Sequence, residues 1–281
     1  MNNMKRLYLL PILALCLAAC QQLPSNEIVN PLEAEEVSVT FAPVRVPQEA
    51  MDEQSIADIC TRLDVWFICE GETIDVHQAS TDAGFGTVIL SLNKTKTYTM
   101  YAVAHKATCA ATLADNIISF PDDKVTHTLY ATSTFSPAST TTINAEMQRI
   151  VAKFRFTTTD AVPDDVTQMR FTLGSVVDRW NVTIGGTHQL DRVATFENFS
   201  KNQDGTATFV VYAIVTNAET QHDVTVEALG TNDAVIESRT FEDVSLRNGY
   251  KTSYSGTFFV TTPMQISFTV ADWNTFDVVN F

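Results

Sequence analysis

The residues of this 281-residue chain that could do chemistry are a serine–lysine pair, an oxygen-rich hexapeptide, five histidines and five cysteines. Ser91-Leu92-Asn93-Lys94 has the SxxK spacing in which the first turn of a helix brings a lysine beside a nucleophilic serine. Here those four residues run across a strand end and a turn, and the chain has no SDN or KTG partner segment, so the spacing reads as chance. Residues 200–205, SKNQDG, present oxygen ligands in the order of a calcium loop. Their twelfth position would be Val211 instead of a bidentate glutamate, and Asp204-Gly205 reads as a hairpin tip. His77, His105, His127, His188 and His222 never fall at H-x-H or H-x-x-x-H spacing, so a metal site would need ligands from distant strands. They read as packed or solvated side chains. Gly84-Phe85-Gly86 precedes a strand and not a helix, so it makes no phosphate loop. Catalytic, cofactor-binding and metal-ligating residues are therefore expected to be none, and the chain is not expected to be an enzyme.

Cysteine chemistry starts with the leader. Lys5 and Arg6 precede an apolar run, residues 7–17, too short to span a bilayer, and the small Ala18 and Ala19 follow, which is the pattern of an export signal. Its end, Leu17-Ala18-Ala19-Cys20, resembles the bacterial lipoprotein box. That resemblance implies cleavage before Cys20, acylation of its thiol and new amine, and a durable membrane tether of several acyl chains. Residues 20–36 are polar, with Pro24 and Pro31, and suit a spacer. No later apolar run approaches eighteen residues, so no transmembrane helix is expected. Three cysteines remain, Cys60, Cys69 and Cys109, an odd number at spacings that exclude CxxC chemistry. Buried free thiols are one reading. One bridge is the other, with Cys69 and Cys109 the chosen pair because both end strands that could be neighbours.

Charge narrows the partners. The chain carries 18 Lys and Arg against 33 Asp and Glu, a formal net charge of -15, and loss of the leader removes Lys5 and Arg6 but no acid. Such a surface repels phosphate backbones and anionic head groups, so nucleic acid is excluded as a partner.

The elements that must position these residues are strands. In residues 149–156, RIVAKFRF, Ile150, Ala152, Phe154 and Phe156 fall on one side of a period-two pattern, and Val151, Lys153 and Arg155 on the other. Breakers flank the stretch, which makes it the seam of two β-rich halves. In the first half, strands are expected over residues 37–41, 63–69, 74–78, 86–92, 97–105, 126–131 and 140–147, with a short helix near 55–60. Leu63, Val65, Phe67 and Cys69 share one face and Trp66 and Ile68 the other, which marks a central strand buried on both sides. In the second half the candidates are residues 166–173, 179–184, 206–215, 223–229, 235–241, 253–260 and 265–270. Gly185-Gly186, Asp204-Gly205 and Asn248-Gly249 punctuate them. Roughly seven strands per half suit a sandwich, and the length suits two domains, residues 37–147 and 148–281. Trp66, Trp180, Trp273 and the 17 Phe read as core more than as a ligand platform.

The order of several segments then points further. The lipobox, LDVWFIC, FGTVILSLNKTKTYTMYAVAH, MQRIVAKFRF, NGYKTSYSGTFFV and ISFTVADW together resemble the Bacteroidales fimbrillin-like lipoproteins, nearest to the fimbrial-anchor, or minor fimbrial subunit, type. The resemblance implies an all-β fold, two tandem transthyretin-like β-sandwich domains after a lipoprotein signal peptide. It implies a role as pilus stalk, tip or membrane anchor in cell adhesion, with other fimbrial subunits as partners through strand pairing. The place implied is the cell outer membrane, with which Gln21 after Cys20 agrees, and the host ligand is left unassigned. Stalk subunits of the family are cut by a trypsin-like protease after an Arg near the first strand. Arg45 is the matching candidate here, whereas Arg62 opens a buried strand. Because Val46-Pro47 follows Arg45, the resemblance favours an uncut anchor or accessory subunit. The alternative is a surface lipoprotein that binds glycan or another host-derived ligand through the loops of its β-sandwiches.

Overall fold

In the computed structural model the described residues are 33–43, 55–121, 124–215, 219–260 and 266–272. Cys20, the leader, Arg45 and Trp273 lie outside them.

The first half supplies β1 (Ala34–Pro43), a single helical turn α1 (Ile56–Ile59), β2 (Arg62–Cys69), β3 (Glu72–Ala79), β4 (Thr87–Asn93), β5 (Tyr98–His105), β6 (Thr112–Ala114), β7 (Ile117–Ser119), β8 (Thr128–Phe135) and β9 (Thr142–Arg149). Seven of these form one folded sheet in the order β3-β2-β5-β8-β9-β1-β4. β9 makes the fold possible. It runs parallel to β1 over residues 142–147 and meets β8 only at Leu129↔Arg149 and Tyr130↔Gln148, so it passes from one layer to the other. The layers close on a core that includes Val37, Val39, Leu63, Phe67, Tyr98, Met100 and Met147. α1 is the expected short helix, with Ser55 and Asp58 forming a capping box at its start.

β2 is buried along both faces, as the apolar run of residues 65–69 requires. Leu63, Val65 and Phe67 face the sandwich core, while Trp66 on the other face enters a second cluster between the halves.

The second half contains β10 (Val151–Thr158), β11 (Gln168–Asn181), β12 (Gly185–Glu197), β13 (Thr208–Ile214), β14 (Thr220–Leu229), β15 (Val235–Leu246), β16 (Tyr250–Gly256) and β17 (Ile266–Asp272). The path β15-β14-β11-β13-β10-β16-β17 carries the sheet, with β12 added to β11. Its core is aromatic: Phe154, Phe156, Phe171, Phe209 and Phe258 pack together, with Phe156 and Phe258 edge to face at 5.5 Å.

The strands depart from expectation at three places. Residues 149–156 are not one strand, because β9 ends at Arg149 and β10 starts at Val151. Ile150 and Val151 pack between the halves, and the alternating face proper to the second core starts at Ala152. Residues 179–184 are no separate strand; 179–181 continue β11 past a bulge between Leu173 and Val176, where Ser175 takes φ 52, and 182–184 turn the chain into β12. β12 and the β6–β7 hairpin have no counterpart among the expected strands. Among the described residues β12 pairs with β11 alone; Val193, Thr195 and Glu197 are exposed, and Ala194 and Phe196 on its other face are only half-buried against the core, so the alternation is weak in the sequence.

Candidate functional site

β1 is an inserted strand. It lies between β9, to which it is parallel, and β4, to which it is antiparallel, with Val39 opposite Ile143 on one side and Val88 on the other. The alternation in EEVSVTF explains the fit: Val37, Val39 and Phe41 point into the core and are essentially fully buried, while Glu36 and Thr40 point out. Each of the three contributes about 1.5–3 kcal/mol by burial. Beyond the strand ladders, Ser38 N–H donates to Thr141 O at 2.8 Å and Phe41 N–H to Gly86 O at 2.9 Å. Gly86 is required there. Its φ is +90, and a Cβ would stand 2.8 Å from Ile56 Cγ2, the buried residue of α1 that packs over the end of the slot. Without β1, β4 and β9 would face each other across a groove lined by Val88, Leu92, Ile143 and Met147.

The halves are locked by a third apolar cluster and one short ladder. Trp66, Val103, Ile118 and Phe120 of the first half pack with Val151, Val177, Trp180 and Ile214 of the second. β7 pairs with β11 at Ile117↔Asn181 and Ile118↔Trp180. The Tyr130 hydroxyl donates to Val182 O at 3.2 Å, and burial pushes its pKa up to about 12.

Below that cluster sits a buried polar group that spacing did not reveal. The Asp64 carboxylate on β2 accepts from His77 Nδ1 on β3 at 2.7 Å, from His105 Nε2 on β5 at 2.8 Å and from Ala111 N–H at 2.8 Å. Burial alone would raise its pKa. The bonds from His105, His77 and Ala111 outweigh burial and hold it below the ordinary carboxylate value. The bond to Asp64 correspondingly raises His77. By fixing Ala111, the carboxylate ties down the segment that leads to the β6–β7 hairpin. Among the described residues no group of three His, Cys, Asp or Glu is arranged to hold a metal.

A basic group lies at the same junction, on the outer face of the second sheet. Lys153 on β10 is the lateral partner of Lys251 on β16 and of Tyr212 on β13. From the first half, Arg149 Nε donates to His127 Nε2 at 3.0 Å, and the His127 ring lies parallel to that of Tyr212, 6.1 Å away. Burial first, then Arg149, Lys153 and Lys106, lowers His127 to about 3, so its imidazole is neutral and accepts. Burial first, then Lys251, Arg155 and Arg149, lowers Lys153.

The other sequence expectations resolve plainly. Ser91 is exposed on β4 and Lys94 follows in the turn, held by its N–H to Glu33 O at 2.8 Å. Residues 200–205 form a turn in which Asp204 accepts from Thr206 and Lys201 Nζ from its side reaches Val162 O at 2.9 Å. Of the two cysteine readings the unbridged one holds: Cys60, Cys69 and Cys109 form no disulfide, Cys60 and Cys69 are buried, and Cys109 is exposed. β2 and β5 are antiparallel, with Ile68 opposite Thr99 and Arg62 opposite His105. Their C-terminal ends therefore lie at opposite ends of the sheet, and Cys109 follows the wrong one.

No protein-family model matches the chain, and no curated protein does. Solved structures do. A proposed cell adhesion protein from Bacteroides ovatus superposes at TM-score 0.53 and 14% identity, over 86% of this chain and 99% of that one. A proposed adhesin from Bacteroides thetaiotaomicron does so at TM-score 0.51 and 10% identity, over 86% and 99%. The fimbrial anchor protein Mfa2 from Porphyromonas gingivalis superposes more loosely, at TM-score 0.47 and 11% identity over 85% and 98%, and carries no weight below. The chain thus shares the all-β fold of proposed Bacteroides adhesins, the fold that the resemblance implied.

Proposed function

We propose that the chain is a lipid-anchored fimbrial subunit, an anchor or accessory component that supports cell adhesion from the outer membrane. The observation that carries this reading is β1, a separable strand seated between β9 and β4 over a ready-made groove. Two sandwich domains, residues 37–147 and 148–281, form the body, and Cys20 bears the lipid. Fimbrial subunits that associate by strand pairing need such a groove and a donor strand whose alternate apolar residues fill it, while main-chain hydrogen bonds supply affinity. This chain keeps its own β1 in the slot. Arg45 stands two residues beyond the end of β1 and is followed by Val46-Pro47. A cut there would discard the lipid at Cys20 along with β1, so the working form retains residues 20–45.

The test follows the lipid. Metabolic acyl labelling and mass spectrometry of the fimbria-bound protein should find a full-length, labelled chain that begins at Cys20. Cys20→Ser should leave an unlabelled precursor outside the detergent-extracted membrane fraction. A fimbria-bound species that begins at Val46 and lacks lipid would make this a polymerising subunit; unchanged membrane partitioning of the variant would remove the anchor.

A further inference from the structure

β12 is the longest edge strand among the described residues, 13 residues joined to β11 alone. Such an edge offers a row of N–H and C=O groups to any strand that comes alongside, and proteins blunt it with lysine, proline or shortness. The edge of β4 is blunted by side chains: Gln78 Nε2 donates to Thr87 O at one end, and Asn93 N–H donates to the Tyr98 hydroxyl at the other. β12 has neither lysine nor proline. Its two central charges turn back into the molecule. Asp191 accepts from Ser175 N–H in the bulge of β11 at 3.0 Å, and Arg192 donates to Val125 O of the first half at 3.5 Å. What stands out is apolar, Val193 at 55% exposure and Leu190 at 41%.

The alternation of main-chain groups fixes which residues face the open side. Val182 N–H donates to Asn116 O, so Trp180 and Val182 bond toward β7, while Arg179 and Asn181 bond toward Thr187 and Gly185 of β12. Carried along β12, that alternation spends the odd-numbered residues on β11 and turns the main-chain groups of Leu190, Ala194 and Phe196 outward. The extra residue of the bulge lies in β11, so β12 keeps its rhythm.

We propose that β12 is the pairing edge of a two-fold dimer of this chain. A two-fold axis normal to the joined sheet makes an antiparallel pair and keeps both cores on one side, so it passes through a residue and not between two. The charges choose which. On Asp191 or Arg192 the axis opposes like charges directly, on Ala194 it opposes Asp191 to Glu197, and on Leu190 it opposes Arg192 to His188 and leaves Phe196 beyond the ladder. On Val193 it sets Val193 against itself, Leu190 against Phe196, Arg192 against Ala194, Asp191 against Thr195 and Gln189 against Glu197. No like charges are then directly opposed. Both exposed apolar residues are covered, and Leu190 of each copy exchanges main-chain hydrogen bonds with Phe196 of the other. That match of a strand with itself selects a second copy over an unrelated strand. The edge belongs to the second half and the slot of β1 to the first, so the dimer does not depend on the role proposed for β1.

The test is sedimentation velocity of the full-length chain in neutral detergent over a concentration series, with oxidative cross-linking beside it. A monomer–dimer equilibrium is expected. Val193→Lys should weaken it about tenfold or more, because it sets two like charges on the axis, and should leave the melting midpoint of the monomer nearly unchanged. On the axis the two Val193 Cα atoms stand about 4.5 Å apart, within reach of a disulfide, whereas those of Thr195 stand about 13 Å apart. In a Cys109→Ser background, Val193→Cys should therefore give a cross-linked dimer under mild oxidation and Thr195→Cys several-fold less. A monomer at every concentration, an unweakened dimer in Val193→Lys, or equal cross-linking in the two cysteine variants overturns the proposal. So does slow hydrogen exchange at Ala194 and Phe196 in dilute, monomeric protein, which would show the edge already covered by the chain itself.

Discussion

His105 Nε2 stands 2.8 Å from Asp64 Oδ2, and neither side chain reaches water. The same carboxylate holds His77 and the backbone of Ala111, so one buried charge joins β2, β3, β5 and the segment that leads to the second half. Removing it leaves three donors without an acceptor. Asp64→Ala should cost about 3 to 5 kcal/mol in urea unfolding near pH 6, the range for breaking a buried charged group from its partners.

The same cluster sets a pH dependence. The Asp64 pKa is lowered in the fold, so its contribution is full above the unfolded value of about 3.9 and is lost as pH falls through the folded one. His77 is raised, so its contribution is full below about pH 6.5 and is lost as pH rises through its folded value. Stability from the cluster should peak between roughly pH 4 and 6.5. Unfolding curves across that range should lose curvature at both ends in Asp64→Ala; an unaltered profile would remove the cluster as the cause.

The two faces of β10 should respond oppositely. Phe154 is 1% exposed and packs on Phe171 and Tyr254, so Phe154→Ala should cost about 3 to 5 kcal/mol. Lys153→Thr removes a half-buried cation set against Lys251, and its cost should stay under about 0.5 kcal/mol or turn into a gain. Equal losses in chemical denaturation would contradict the face assignment.

β1 is bonded on both sides, which gives it the exchange behaviour of core. Amides of Val37, Val39 and Phe41 should exchange with solvent as slowly as those of β5, since each needs the sheet to open. Rapid exchange confined to β1 would show a strand already poised to leave, contrary to an uncut anchor.

The thiols should separate by reactivity. Burial raises Cys60 to about 12, Cys69 is also buried, and Cys109 is exposed. A maleimide added to the native protein at pH 7.5 should label Cys109 alone, and mass spectrometry after digestion reads the result. Labelling of none of the three, rescued by a reductant, would restore the bridge.

What the sequence alone determined was local: the alternation that makes β1, β2 and most of β10 strands, and the face each turns inward. Val37, Val39 and Phe41 are legible because the pleat repeats every two residues, and a strand with one wet face must carry that period. β2 was legible as buried on both sides, although what covers its second face, Trp180 and Val151 from the other half, was not. β12 stayed hidden, because its inward face, with Ala194 and Phe196 on the core, is only half-buried and so imposes only a weak pattern.

Only the tertiary structure decided which strands are neighbours. Asp64 meets His77 across 13 residues and His105 across 41, Lys153 stands beside Lys251 on a strand near the other end of the half, and Cys69 is parted from Cys109 by the antiparallel run of β2 and β5. Alternation places a side chain on a face whatever lies beside it. Its neighbours depend on register, which is set by how whole sheets bury their apolar faces, and no short stretch of chain contains that information.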